Sequence, residues 1–249
     1  MTKTSRRGPQ SGLTLIEVLI AVTLLSVLSV GILMAMRVGL DALQKTNKKL
    51  MDNRRVAGAQ RVLEQQIAGF LPVDALCSGN PDAPPEKIVF FQGEEQSMRL
   101  VSSYSLSEAW RGQPRILEYQ VIPGDEGRGV RLIVNEIPYT GSLGAGQLCL
   151  GMAPDPVLGI NVPRFRPIRA GPQSFVLADK LAFCRFSYLE PADPPVIERW
   201  RPDWVLPKWP LGVRVDMAPL VDNPARLRPL TITAAIRIHR SPEIAYGDY

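Results

Sequence analysis

Thr14 and Glu17 stand three residues apart at the mouth of a long apolar run, and both carry groups that can act on their neighbours. From Val18 to Met36 the chain reads VLIAVTLLSVLSVGILMAM, nineteen residues without a charge. A carboxylate where hydrocarbon begins is costly unless something pairs with it, so Glu17 calls for a partner. Thr-x-x-Glu offers a local one. In a capping box the threonine hydroxyl accepts from an orphan amide of the first turn, and the glutamate reaches back to the cap amide. An acid in the first turn also complements the helix dipole. On that reading alone the segment is a membrane anchor with a well-capped start.

Other groups capable of chemistry are few. Cys77, Cys149 and Cys184 lie far apart with no Cys-x-x-Cys. That excludes a zinc ribbon and leaves at most one internal disulfide with one thiol over, the pair not being set by spacing. The single histidine, His239, sits in IRIHR and is expected in a terminal edge strand. There is no Gly-x-Ser-x-Gly, no phosphate loop and no histidine cluster for zinc. Glu94 and Glu95 lack the spacing of a calcium loop. The expectation is a chain that is not an enzyme and holds no metal or cofactor. Trp200, Trp204 and Trp209 are candidates for an interface, with plain packing of a sheet as the alternative.

The charge balance narrows the partners. Of the net charge of +5, Lys3, Arg6 and Arg7 supply three before residue 12, which leaves two for everything after. So weak a balance carries no nucleic-acid footprint. The cluster Arg164, Arg166 and Arg169 around Phe165 reads as a solvated loop with snorkelling arginines.

The elements that must position these groups fall into three zones: 1–12, basic and polar; 13–71, helical; and 72–249, β-rich. Of 23 prolines only Pro9 precedes Pro72, and frequent proline is incompatible with helix. A membrane span is expected at about 14–36, just long enough to cross as a helix. The helix then continues as an amphipathic stripe through Val56, Ala59, Leu63, Ile67 and Phe70, ending at Pro72. Strands are expected at 87–92, 98–105, 115–122, 130–137, 181–189, 212–217 and 230–240, with GDEGRG at 124–129 turning a hairpin between the third and fourth. One long helix followed by mainly antiparallel sheet is an α+β arrangement.

Gly12-Leu13-Thr14-Leu15-Ile16-Glu17-Val18, with a basic leader ahead and an apolar helix behind, resembles the type IV prepilin signature. The resemblance implies that a membrane peptidase cuts after Gly12 and that Leu13, where phenylalanine is usual, becomes the N-methylated terminus. It also implies that Glu17, fifth in the mature chain, serves filament assembly. Basic residues flank the span on both sides, Arg37, Lys45, Lys48, Lys49, Arg54 and Arg55 following it. Charge counting therefore does not orient it. The processing motif does, and places the β-rich region outside the cytoplasm.

Downstream, LDALQKTNKKLMDNRRVAGAQRVLEQQIAGFLP, MRLVSS, ILEYQV and SFVLADKLAFCRFSYL occur in an order that resembles J-type minor pseudopilins of type II secretion. Trp200-x-x-x-Trp204 and WPLGVRVDM from Trp209 continue the likeness. This implies a pseudopilin-like fold and a structural subunit at the pseudopilus tip, anchored in the inner membrane with its C-terminal domain in the periplasm. The implied partners are I-, K- and H-type minor pseudopilins, the major pseudopilin, the prepilin peptidase and the inner-membrane assembly platform. Two alternatives stand beside it: a minor pilin of a type IV pilus, and a membrane-anchored periplasmic enzyme or binding module.

Overall fold

The computed structural model describes residues 14–79, 84–107, 110–156, 159–191, 198–220 and 230–236. One helix, α1 (Leu15–Ala68), opens the chain. Two compact units divide within it, Met1–Asp52 and Asn53–Tyr249.

In the first unit the apolar stretch Leu15–Gln44 has a mean hydropathy of 2.6 over its most apolar window, and none of that window is buried. Its length and composition suffice to cross a membrane as a helix. Hydrocarbon leaves no water for polar groups, and the helix meets that condition internally. The hydroxyls of Thr23, Ser26 and Ser29 donate to the carbonyls of Ile20, Val22 and Leu25, each at 2.8 Å.

The second unit begins with the last turns of α1. Strands β1 (Asp74–Cys77), β2 (Glu86–Val89), β3 (Gln92–Gly93), β4 (Ser97–Ser105), β5 (Trp110–Pro123) and β6 (Val130–Pro138) follow it. After the short helix α2 (Ser142–Gly146) come β7 (Cys149–Pro154), β8 (Asn161–Phe165), β9 (Phe175–Glu190), β10 (Arg199–Arg201), β11 (Gly212–Pro219) and β12 (Leu230–Ala235). The main sheet runs β12-β11-β9-β6-β5-β4-β3, with β10 added to β9, while β1-β2 and β7-β8 form two small sheets. Pairing among the described strands is antiparallel throughout, so the fold is α+β with a long apolar helix ahead of a mostly antiparallel sheet domain.

Both faces of the central strands are covered, which explains their nearly unbroken burial. On one face Met98, Leu100, Leu117, Tyr119, Leu132 and Val134 meet the helical stripe Ala59, Leu63, Ile67 and Phe70. Leu63 and Ile67 are wholly buried, each contributing about 1.5–3 kcal/mol of hydrophobic stabilisation. On the other face Val101 and Ile116 pack with Ala75, Cys77, Ile88, Phe90 and Cys149.

Several boundaries differ from expectation, each for a packing reason. The helix stops at Ala68 rather than near Leu71, because the chain joins β4 before it reaches Pro72. The Leu71 amide donates to the Val101 carbonyl at 2.9 Å, and the Ser103 amide donates to the Gly69 carbonyl at 2.8 Å. A Cβ on Gly69 would lie 2.8 Å from Ser102 Oγ, so only glycine allows so close an approach. The single strand expected at 87–92 is split into β2 and β3. Its two phenylalanines serve different cores: Phe90 packs edge-on against Phe165 and Phe91 against Tyr188. Strands β1, β7, β8 and β10 were not expected. The hairpin of β5 and β6 is present, with Glu126, Gly127 and Gly129 of its loop at positive φ. Of the terminal strand expected at 230–240, Leu230–Ala235 is strand, and His239 lies outside the described residues.

Candidate functional site

Glu17 sits in the first turn of α1 with Thr14 just ahead of it. The Thr14 amide donates to Glu17 Oε2 at 3.1 Å, the Thr14 hydroxyl donates to the same oxygen at 3.0 Å, and the Glu17 amide donates back to Thr14 Oγ1 at 3.4 Å. This is the capping box the spacing predicts. It occupies one carboxylate oxygen, and among the described residues Oε1 has no hydrogen-bond partner. The carboxylate therefore caps its own helix through Oε2. Gly12 and Leu13, the expected cleavage pair, lie outside the described residues.

Residues 7–33 match the prokaryotic N-terminal methylation motif. The N-terminus is type IV prepilin-like. The match spans Gly12, the capping box and the first nineteen residues of α1. No curated protein matches the chain. The motif leads into a helix whose last turns enter the core of an antiparallel sheet unit.

The three tryptophans part company in the sheet unit. Trp204 and Trp209 are buried, at 3% and 7% exposure, so their rings face this chain's own side chains. Trp204 Nε1 donates to the Lys208 carbonyl at 2.6 Å, and its ring lies 6.4 Å from that of Tyr188. Trp200 is half-buried, with the Arg214 guanidinium 3.9 Å above its ring. Of these three, Trp200 leaves the most ring surface exposed.

Two polar networks escaped the sequence reading. Gln66 falls inside the apolar stripe of α1 and is fully buried. Its Nε2 donates to Glu136 Oε1 at 3.2 Å, and the Tyr119 hydroxyl donates to its Oε1 at 2.7 Å. Glu136 also accepts from the Ser105 hydroxyl and from the amides of Leu106 and Ser107, at 2.8, 2.6 and 3.0 Å. Burial, seconded by the Glu136 charge, holds the Tyr119 phenol well above its ordinary value. The network fixes which face of α1 meets the sheet. Its one sequence signal was a glutamine three residues after Leu63.

On the opposite face Arg99 is buried and forms an ion pair with Glu118 at 2.7 Å. It also donates to Gln92 Oε1 at 2.5 Å and to the Arg166 carbonyl at 2.8 Å, beneath the Phe165 ring. Burial lowers the Arg99 guanidinium from its ordinary value, while Glu118 works against that shift. The cluster expected as a solvated loop is a loop only after Phe165: Arg164 and Phe165 end β8, paired to β7, and the Arg166 carbonyl is anchored to Arg99, while the side chains of Arg164, Arg166 and Arg169 are exposed as expected. Cys77 and Cys149 form the disulfide that the sequence left open, joining β1 to β7. Cys184 is free and buried, and burial pushes its thiol up to about 12.

Proposed function

We propose that this chain is a J-type minor pseudopilin, a structural subunit at the tip of a type II secretion pseudopilus that supports protein export across the outer membrane. The observation that carries the reading is the methylation motif at residues 7–33, leading into a helix that runs unbroken to Ala68 in the core of a β-rich unit. The order of the downstream segments, from MRLVSS through LAFCRFSYL to WPLGVRVDM, supports this reading, and a minor pilin of a type IV pilus, which shares much of that order, is the alternative.

Cleavage after Gly12 removes the leader cations and leaves a methylated amine on Leu13, within about one helical turn of Glu17. In a bundle of parallel helices an axial offset brings the amine of one subunit to the Glu17 carboxylate of another. The pair offsets the desolvation of both charges and rewards one register. The anchor is in the inner membrane and the sheet unit is periplasmic, where it meets I-, K- and H-type minor subunits and, through them, the major pseudopilin. Prepilin peptidase and the inner-membrane platform act on the chain before assembly. Its work is assembly, with no catalytic residue and no cofactor.

Intact-mass measurement on protein from cells with and without prepilin peptidase tests the processing step. The mature chain is expected to begin at a methylated Leu13 in the first case and to keep residues 1–12 in the second. An identical mass in both would end the prepilin reading. Co-purification of mature protein with I- and K-type pseudopilins, and not with pilus subunits, is the expected outcome for the finer assignment.

A further inference from the structure

A cleft of about 470 Å³ opens on the sheet unit, bordered by every residue of β2 and β8, by Phe91 and by the loop from Trp204 to Pro207. Its volume is in the range of built binding pockets, about 300–1,000 Å³. Each of these strands pairs on one side only, β2 with β1 and β8 with β7. Among the described residues the other edge of each has no backbone partner. An unpaired edge presents amides and carbonyls that an extended chain can complete and a helix cannot. β8 contains Pro163, which has no amide to donate, whereas β2 contains no proline, so β2 is the better pairing edge and β8 the other wall.

The electrostatics of the lining select the occupant. Asp74, Glu86, Glu94 and Asp155 face Lys87 and Arg164, so the cleft is net negative in a chain whose net charge is +5. Lys87 is already committed to Asp74 at 3.1 Å. Glu94 is held in place by Gln92 Nε2 at 2.9 Å and the Ser97 hydroxyl at 2.7 Å, and both Glu86 and Glu94 are exposed. Like-signed potential repels phosphate and anionic lipid from such a lining, whereas lysine or arginine side chains are drawn in. The buried ring of Trp204 and that of Phe91 supply apolar wall for the intervening residues.

We propose that this cleft binds an extended, cationic segment of a partner protein, which adds a strand to the free edge of β2 and sets its basic side chains against Glu86 and Glu94. The proposal does not depend on the filament reading, and its test has a separate readout.

Full-length protein in detergent micelles is titrated with fluorescein-labelled Ac-Val-Lys-Val-Lys-Val-NH2, and binding is followed by anisotropy. The peptide with glutamate in place of lysine is the charge control, and the lysine peptide N-methylated at alternate amides is the backbone control. Binding of the lysine peptide is expected, with loss of binding for both controls. It should weaken about five- to tenfold in the double variant Glu86→Gln, Glu94→Gln, which keeps side-chain size and removes both charges. It should weaken similarly as salt rises, and it should be unchanged in Glu126→Gln, an exposed acid on the β5–β6 loop. Equal binding of lysine and glutamate peptides, full binding by the double variant, or no binding of the lysine peptide would overturn the proposal. Undiminished binding of the N-methylated peptide would overturn strand addition.

Discussion

Glu17 has two possible tasks that a single substitution separates. In its capping task Oε2 accepts from the amide and hydroxyl of Thr14. Glutamine serves that position almost as well, because its side-chain oxygen accepts in the same way. It carries no charge, so any pairing with the methylated amine of a neighbour is lost. Glu17→Gln is therefore expected to insert and to be cleaved as the wild type is. Crosslinking to neighbouring subunits within membranes should fall severalfold, with Glu17→Asp between the two because the charge survives at shorter reach. Equal crosslinking in wild type and Glu17→Gln would leave capping as the only task of this residue.

Among the elements, the two small sheets are joined by a covalent tie. β1 and β2 are short, β7 and β8 likewise, and a two-stranded sheet has little stability of its own. The Cys77–Cys149 bond joins β1 to β7 across 72 residues of sequence, with both cysteines buried. In the chain-entropy account a loop of that length gives about 4 kcal/mol of stabilisation. Cys77→Ala with Cys149→Ala is expected to lose about 2–4 kcal/mol by urea unfolding of the sheet unit. The Arg99 network and α1's stripe should hold the main sheet, so far-ultraviolet dichroism should keep most of its strand signal. A loss below about 1 kcal/mol would show that packing alone secures the small sheets.

For the molecule as a whole, three ionisable groups are buried in one core. Cys184, Tyr119 and Tyr188 all belong to the cluster that α1 shares with the main sheet. Burial is the first cause of the upward shift in each, and Cys184 reaches about 12. An unfolded thiol titrates near 8.5 and an unfolded phenol near 10. Where the folded value lies above the unfolded one, the native state holds its proton longer. Stability is then complete below the unfolded value and falls as pH rises toward the folded one. Urea midpoints are expected to be level from about pH 7 to 8 and to fall steadily from about pH 8.5 upward. Cys184→Ala should remove the earliest part of the fall and leave the part due to the phenols. A flat profile to pH 11 would contradict the burial of these groups.

What the sequence determined by itself was everything carried by neighbouring residues. Thr14 and Glu17 make their capping box because three residues of helix bring them together, whatever the rest of the chain does. The uncharged run from Val18 to Met36 makes a helix of membrane length by composition alone, and the β5–β6 hairpin follows from two alternating segments around GDEGRG. The tertiary structure decided the matters that depend on which distant segments meet. It chose Cys149 as the partner of Cys77, sent Phe90 and Phe91 into different cores, and drew Trp204 and Trp209 inward. It also buried Gln66 and Arg99, whose partners local spacing does not reveal. A buried polar side chain is stable only when its hydrogen-bond partners arrive with it. For Gln66 and Arg99 those partners include Tyr119, Glu136 and Glu118, which strand pairing brings from far along the chain.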